Sequence, residues 1–488
     1  MLILAAGAAM AQDDASQQPA PPPVSAFGQQ NPAQPVSENP PISAIDQPGL
    51  DPHATAESFL LFGLHFSESA DSNVSDTLGG SGVRSVSRGL GSLTLQKLWK
   101  NYDVALDYIG GAAYYNTKNL QFEQMQQLDV DNRINWKRGQ LGIRDSFSYL
   151  PEGTFGFGAY GGGGAYGASL GSLGAGLLGS GAFAGQSAFL GGGNFGSSLG
   201  QTPRLMNLGL VDVVENLTPK SSVTAAGGYG IVHFYGNPDV AGVSSFIGSD
   251  EETAQVAYDR ILTPRDQAAI SYGYQRFNFS VVGTEFHSDV IQVMYGHRIS
   301  GRMDFMIGAG PQFTFINAGA LGGQTTRIGV AGRASLRYRF PKSTVALTYE
   351  RFNTNGSGIF LGAETDAATL GATRQLGRVW SVFSDVGFAR NHRLQPLSTQ
   401  ELVICTVQNI GCPGVSSNVF SYGYAGLGVH RQVGRSFRVF ASYQFNDLYF
   451  DSTFCLNSAN QVGPCNRISR RHVGTIGIDW TPRPIRLD

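Results

Sequence analysis

The sequence predicts an all-β fold, a closed transmembrane β-barrel of about 18 antiparallel strands in up-and-down order. Only 14% of its 488 residues are charged, against about 25% in an ordinary globular chain, so a medium other than water is expected to cover part of the surface. No apolar stretch of the roughly 20 residues that a spanning helix needs follows the N-terminus. Segments of alternating polarity recur instead, and a closed barrel of such strands crosses lipid without a long apolar run.

The charge balance excludes one class of partner. The chain has 34 Lys and Arg residues against 36 Asp and Glu residues, which gives a net charge of −2. Nucleic-acid binding needs a positive field that this composition does not supply. We therefore expect no nucleic-acid partner.

The first 56 residues precede the predicted barrel. Residues 1–11 are interpreted as the remnant of a signal peptide, because an apolar segment leads to Ala9-Met10-Ala11, a small-x-small site with cleavage expected after Ala11. A basic region is missing before this apolar segment, so the alternative is that it is no signal. Residues 12–56 are rich in Pro and Gln and predict a disordered periplasmic arm, either a spacer or a binding segment for a periplasmic partner.

Alternation of polarity is clearest between residues 327 and 340. Ile328 and Val330 fall on one face of a strand, and Arg333 and Arg337 fall on the other. A soluble sandwich alternates as well, so the pattern alone does not identify the solvent. Near Gln275 the alternation changes phase, which predicts a β-bulge there.

The breaks between strands carry more information. Short turns such as Thr218-Pro219-Lys220 and Ser300-Gly301-Arg302 alternate in strict order with longer and more varied breaks, of which residues 150–203 are the longest. Short periplasmic turns and longer external loops are typical of outer-membrane barrels. The barrel is therefore predicted over residues 57–481, with a C-terminal tail at 482–488.

Tryptophan supports this topology. Each of the four tryptophans falls beside a predicted short turn or at the end of the last strand, so all four are expected at one membrane interface, where indole rings favour the headgroup region. The residues of this predicted belt are Trp99, Trp136, Trp380 and Trp480.

The four cysteines fall outside the predicted strands. Cys405 and Cys412 lie in one long break, and Cys455 and Cys465 lie in the next. Two local disulfides formed in an oxidising compartment are the simplest expectation. Their spacing is too wide for the C-x-x-C pairs of a typical zinc site, so no metal or other cofactor is expected.

On these features the chain resembles the outer-membrane β-barrel proteins of Gram-negative bacteria, most nearly the porin-like channels of 16–18 strands. The last strand, with Ile476, Ile478 and Trp480 on one face, is similar to the C-terminal signal that the barrel-assembly machinery reads, although Thr481 to Asp488 follow the aromatic residue. The resemblance implies export to the bacterial outer membrane, contact with its lipid and assembly by that machinery. It also implies a homotrimer, although no self-association motif is present.

The resemblance further implies passive diffusion of small solutes through a water-filled barrel, since a barrel of this strand number is too wide for its own side chains to fill. Residues 153–203 are rich in glycine and contain no charged residue. In porins the corresponding connection narrows the channel, so this loop is the expected constriction. The alternative for this loop is a flexible outer loop or an adhesive surface segment. The alternative for the whole protein is a structural or adhesive barrel with a plugged lumen. The aromatic residues of the loop are Phe155, Phe157, Tyr160, Tyr166, Phe183, Phe189 and Phe195.

Charged residues on the predicted inner wall form a second candidate feature. Four arginines share one strand face, and two carboxylates on the neighbouring strands are candidate partners. Unpaired arginines would make the channel favour anions, and paired ones would instead hold the wall rigid. These lumen-lining residues are Arg327, Arg333, Arg337, Arg339, Asp304 and Glu350.

Enzyme signatures are weak, and we expect no catalytic activity. Residues 156–161 match G-x-G-x-x-G but lie in a glycine-rich tract without a βαβ context. His287, Ser288 and Asp289 are adjacent in a predicted strand, so their side chains alternate between faces and cannot converge. A 22-strand transporter with a folded N-terminal plug is also not expected, because the residues before 57 are too few.

Overall fold

The computed structural model describes thirteen stretches of the chain. They are residues 41–43, 58–73, 82–116, 122–150, 203–235, 248–279, 283–317, 323–356, 360–395, 418–451, 454–456, 462–464 and 468–487. Over these residues the chain forms a closed antiparallel up-and-down barrel of 18 strands, which confirms the predicted fold class and strand number.

Most barrel strands are 12 to 17 residues long. The barrel strands are β1 (Phe59–Asp71), β2 (Arg84–Leu98), β3 (Tyr102–Tyr115), β4 (Phe122–Trp136), β5 (Gly139–Leu150), β6 (Arg204–Thr218), β7 (Ser221–Phe234), β8 (Ser249–Thr263), β9 (Asp266–Phe279), β10 (Thr284–Ser300), β11 (Met303–Asn317), β12 (Gln324–Phe340), β13 (Ser343–Thr354), β14 (Ala363–Leu376), β15 (Trp380–Arg393), β16 (Val419–Val433), β17 (Phe437–Phe450) and β20 (Ile468–Trp480). Three short strands accompany them: β18 (Phe454–Leu456), β19 (Val462–Pro464) and β21 (Ile485–Arg486).

Closure joins the first strand to the last. β1 pairs with β2 on one side and with β20 on the other, with Leu64 opposite Trp480. Arg471 on β20 donates to Asp71 on β1 through Nε and Nη2, at 2.8 and 2.6 Å. β21, within the predicted C-terminal tail, pairs with the start of β1. The sheet therefore has no free end between β1 and β20.

Two kinds of connection alternate around the barrel. Eight connections of two or three residues join β2 to β3, β4 to β5 and so on, and nine longer ones lie at the opposite end, as predicted. We call these two ends the turn end and the loop end. Positive φ angles of 75° at Gly377 and 66° at Gly434 explain the glycines in two of the short turns. In another, the Thr263 hydroxyl accepts the Arg265 backbone N–H at 3.2 Å.

Polarity is inverted relative to a soluble barrel. Side chains that point away from the barrel axis, on the outer face, are apolar and exposed: Ile328 is 70% and Val330 57% exposed. Side chains that point inward, on the inner face, are mostly polar and buried, for example Ser288 and Asp385. Within the described ranges, no helix is long and apolar enough to cross a membrane.

The predicted bulge at Gln275 is wrong. β9 pairs without a register shift through Gln275 with both of its neighbours, opposite Ser288 on β10 and Thr253 on β8. Register shifts in the described ladders instead lie close to the short turns, for example between Ile261 and Thr263. The alternation read from the sequence changes phase there because apolar Phe277 and Phe279 point inward, into a buried aromatic cluster, while polar Arg276 points outward.

Candidate functional site

The candidate site is the space enclosed by the barrel, and its middle level is polar. Gln275, Gln292 and Gln312 lie on the inner faces of β9, β10 and β11, and with Arg333 and Phe352 they line a cavity. All three glutamines are buried. Amide groups can both donate and accept hydrogen bonds, so this level can bind hydroxyl-bearing or amide-bearing solutes.

The arginines of β12 lie beside carboxylates. Arg337 Nε donates to Asp304 Oδ1 at 2.8 Å, and Arg327 Nη2 lies 3.0 Å from Glu364 Oε2 on β14. Arg333 is 5% exposed and interacts electrostatically with Glu350 and Asp259. Arg339 lies at the turn end of the same face, where it is half-buried.

Sequence reasoning missed the opposite wall. Across β3 to β6, four inward carboxylates are buried with two arginines, and Asp107 is directly opposite Asp129. Arg133 Nη2 lies 2.6 Å from Asp131 Oδ2, and the Arg144 guanidinium bridges to Asp131 and Asp212 at 3.6 and 3.4 Å. Alternate aspartates in β4 were the signal that could have identified this wall. The interior thus has an acidic side on β3 to β6 and an arginine-rich side on β12.

The hairpin formed by β13 and β14 bends into the barrel at the loop end. The ladder between β12 and β13 runs only from Phe340 opposite Ser343 to Gly332 opposite Arg351, although β13 continues to Thr354. Beyond that point β13 stays paired with β14. In the described ladders, residues 324–331 of β12 therefore have no partner on the β13 side.

The bent hairpin reaches strands that are not its neighbours. Asn353 Nδ2 donates to Ser288 on β10 at 2.8 Å, and Asn355 Nδ2 donates to Ser249 on β8 at 3.2 Å. Phe360, after the hairpin tip, packs on Phe420 of β16 with ring centroids 5.0 Å apart. Several residues of the hairpin are almost completely buried. The hairpin therefore narrows the interior at the loop end.

Aromatic side chains fill the rest of this level. A cluster on β14 to β17 includes Phe420, Tyr422 and Phe450, and Phe234 from the end of β7 packs against it. The cluster also contains Phe360 and Ala363 of the hairpin region, so this contact joins β7 to the side of the ring that carries β14 to β17. A second cluster contains Phe286, with rings of β9 beside it. Within the described residues, these rings and the hairpin together narrow the loop end of the interior.

The predicted constriction loop, residues 153–203, joins β5 to β6, but its aromatic residues lie outside the described part of the chain. Both proposed disulfides also fall there, because only the backbone of Cys455 is described among the four cysteines. These two assignments stay predictions. The residues concerned are Phe155, Phe157, Tyr160, Tyr166, Phe183, Phe189, Phe195, Cys405, Cys412, Cys455 and Cys465.

The four tryptophans lie on the outer side of the barrel at the turn end. Trp136 Nε1 donates to Glu215 at 2.7 Å, and the Arg431 guanidinium lies 5.2 Å from the Trp380 ring centroid. Trp99 packs near Tyr102 at 5.3 Å, and Trp480 ends β20. Each ring is at least one-third exposed. Their assignment to a membrane interface stays a prediction.

One arrangement of polar groups has the order of a hydrolase triad. Ser92 Oγ lies 2.9 Å from His65 Nε2, and His65 Nδ1 lies 2.9 Å from Asp479 Oδ1. Asp479 also accepts from Arg438 Nε at 2.8 Å. His65 is 1% exposed and Ser92 8%, which leaves no room for a substrate. The strand segments around Ser92 are paired on both sides, so nearby backbone N–H groups are not free to stabilise an oxyanion.

This arrangement links β20, β1 and β2 on the inner face, so we assign it to the closure of the barrel. As expected from the alternation of strand faces, His287, Ser288 and Asp289 do not converge. Ser288 is buried on the inner face, and His287 and Asp289 point outward, where Asp289 accepts from Tyr272. Among the residues that the structure describes, no group of His, Cys, Asp and Glu could hold a metal ion.

Comparison with known proteins finds structural similarity at low sequence identity. The sequence matches no protein-family model and no curated protein. Among solved structures, it is similar to OccK2 (OpdF) of Pseudomonas aeruginosa in complex with glucuronate, at 8% identity and a TM-score of 0.42, covering 87% of this chain and 98% of that one. The similarity to OpdL of the same organism has 9% sequence identity and a TM-score of 0.40, and it covers 88% of this chain and 99% of OpdL. The similarity to the ferric citrate transporter FecA has 8% sequence identity and a TM-score of 0.39, and it covers 86% of this chain and 78% of FecA.

Proposed function

We propose that this chain is an outer-membrane channel for the passive diffusion of small polar solutes. The observation that carries the proposal is the inverted polarity of the barrel. Apolar side chains are exposed on the outer face of strands all round the ring, and polar side chains occupy the inner face. In water this arrangement would leave a large apolar surface exposed, whereas in lipid it satisfies both faces.

The inner face supports solutes that form hydrogen bonds without a large net charge. Glutamines line the middle of the interior, and the arginines of β12 lie close to Asp304, Glu350 and Glu364. Aromatic rings line the loop end, where they can stack on the apolar faces of sugar-like molecules. Small neutral polyols and sugars fit this combination best. The glycine-rich loop at 153–203 is proposed to narrow the passage further.

In the conformation described, the loop end of the interior is obstructed. Phe234 of β7 packs on the aromatic cluster of the facing side, and the β13–β14 hairpin reaches β8 through Asn355. A channel function therefore requires the hairpin to move outward together with β15, because β14 stays paired with β15 along its whole length. The side-chain contacts that this movement breaks, to β8, β10 and β11, are individually weak.

The same closure favours a second candidate, a structural or adhesive barrel whose lumen stays plugged. Burial of inward polar groups such as Ser288 and Asn391 supports it. In that case the hairpin would be a permanent part of the interior, and the long loops would carry the function.

Other features follow from the channel proposal. Export through a cleaved signal peptide, assembly by the barrel-assembly machinery, a homotrimeric state and two loop disulfides stay proposals. Intact mass of the mature protein, with and without reductant, tests the cleavage after Ala11 and the disulfides together.

The deciding experiment is single-channel recording of the refolded mature chain in a planar lipid bilayer, paired with liposome swelling in neutral sugars of increasing size. Ion-conducting steps and swelling that falls with sugar size are expected from a channel. Heat modifiability of the band in gel electrophoresis provides the folding control. A correctly inserted barrel that is silent in both assays would favour the plugged barrel.

A further inference from the structure

Three residues of the N-terminal arm lie inside the barrel, far from β1 in the ring. Ser43 is 3% exposed. Its backbone N–H donates to Asp259 Oδ1 at 3.0 Å, and its hydroxyl donates to the other carboxylate oxygen of Asp259. The same hydroxyl lies 2.8 Å from Thr224 Oγ1. Each polar group of Ser43 that faces the wall is therefore matched by a group of β7 or β8.

The neighbouring residue of the arm packs on a glycine. A Cβ at Gly296, on the inner face of β10, would lie 3.1 Å from Ile42 Cγ2. A larger side chain at this position would occupy the space that Ile42 fills. We call Thr224, Asp259 and Gly296 the arm cradle. All three residues are buried on the inner face in the turn-end half of the barrel.

The chain can reach this cradle from β1. Residues 44–57 connect Ser43 to the start of the barrel, and 14 extended residues span up to about 50 Å. A ring of 18 strands about 4.8 Å apart, tilted by about 40°, has a diameter on the order of 35 Å. The cradle on β7 to β10 lies six to nine strands from β1. The connection is therefore long enough to cross the lumen.

We propose that the arm cradle is a docking site for residues 41–43, and that the docked arm obstructs the turn end of the channel. This inference rests on the proposed channel function. Asp259 binds an amide N–H and a hydroxyl of the arm, the groups that a polyol or a small amide would also present. The arm thus occupies a site with the chemistry of a hydroxyl-bearing solute, and such a solute would compete with it.

The test of docking is a cross-link that does not depend on conductance. In a background with the four native cysteines changed to Ser, Ser43→Cys is combined with Thr224→Cys and oxidised, and the linked peptides are sought by mass spectrometry. The matched control combines Ser43→Cys with Thr253→Cys, which lies on the same inner face but nearer the loop end. A link to position 224 and none to 253 is expected. Absence of the first link in a folded barrel would overturn the docking.

The test of obstruction uses the same cross-linked protein. Oxidation is expected to lower the single-channel conductance at least twofold, and reductant should restore it. Gly296→Leu in the full chain should raise the open probability, because it displaces Ile42. An efficient cross-link that leaves conductance unchanged would refute the obstruction. Absence of conductance in every variant, including Gly296→Leu, would instead refute the channel proposal and leave the docking result standing.

Discussion

Asn353 Nδ2 donates to Thr314 Oγ1 at 2.7 Å, although β12 lies between their two strands in the sheet. The contact is possible because the end of β13 leaves the wall and passes over the inner face of β12. Asn353 also donates to Ser288, so one amide holds the hairpin to two strands. This side chain is the clearest single attachment of the hairpin in the interior.

Replacing Asn353 with Ala should loosen the hairpin. Two hydrogen bonds are lost, at about 1 kcal/mol each, so the ratio of open to closed state should rise roughly 30-fold. The measurement is the open probability in a planar bilayer. Asn101→Ala, in a short turn at the opposite end, is the matched control and should behave like the unmodified chain. Equal open probability for both variants would show that this hairpin is not the gate.

Arg333→Gln should destabilise the barrel by about 3–5 kcal/mol, because it removes the cation from a buried group of charges and leaves carboxylates without it. The partners are Glu350 and Asp259. The double variant Arg333→Met with Glu350→Gln should recover part of the loss. Urea unfolding in detergent micelles, followed by tryptophan fluorescence, measures both. A loss below about 1 kcal/mol for Arg333→Gln would mean that water reaches this site.

The pair Arg337 and Asp304 should decide the ion selectivity at the arginine-rich wall. Because the two groups lie 2.8 Å apart, their fields largely cancel, and we expect the unmodified channel to be weakly selective. In Arg337→Gln the reversal potential should shift toward the value of a cation-selective channel, and in Asp304→Asn toward that of an anion-selective channel. The double variant should return to the weak selectivity of the unmodified channel. A strong anion preference in the unmodified channel would contradict the pairing.

Ser92 should not react as a nucleophile. It hydrogen bonds to His65 in the order of a catalytic triad, but it is buried and has no oxyanion donors beside it. A fluorophosphonate probe is therefore expected to leave the folded barrel unlabelled. His65→Ala should lower stability, since it leaves the Asp479 carboxylate with one partner fewer. Labelling that is lost in Ser92→Ala would overturn the structural assignment.

The tryptophans should report a single depth in the membrane. Because all four lie at the turn end, lipids brominated near the headgroup are expected to quench their fluorescence more strongly than lipids brominated near the end of the chain. The same order of quenching is expected after refolding into short-chain lipids and into long-chain lipids. Equal quenching at all depths would show that the rings are spread across the bilayer.

Much of the fold was predictable because outward residues of such a barrel are apolar and inward residues are polar, so the alternation of polarity along each strand assigns residues to the two faces. Ile328, Val330, Arg333 and Arg337 fall on the faces that the period of two assigns to them. The order of short turns and long breaks was predictable for a related reason. A hairpin turn of two or three residues needs particular residues such as Gly377, whereas a long loop does not.

The interior was much less predictable. The contacts of Asn353 and the arrangement at His65 join residues that are far apart in the sequence, and no local pattern encodes them. Alternation says that a residue points inward, but not which opposite residue it meets. For the same reason the arm was interpreted as a spacer or a partner-binding segment, while Ser43 is held by Asp259 across the lumen.

The meeting of β1 with β20 sets a condition on biogenesis. Asp71 and Arg471 are 400 positions apart, and no earlier strand can take the place of β20 beside β1. Until the C-terminus has been made, the growing chain exposes two unsatisfied strand edges and an apolar outer surface, the combination that promotes aggregation. A chain truncated before β20 would keep 17 of its 18 barrel strands and still could not close the barrel. The fold itself therefore requires that the nascent chain be kept soluble until β20 has been synthesised.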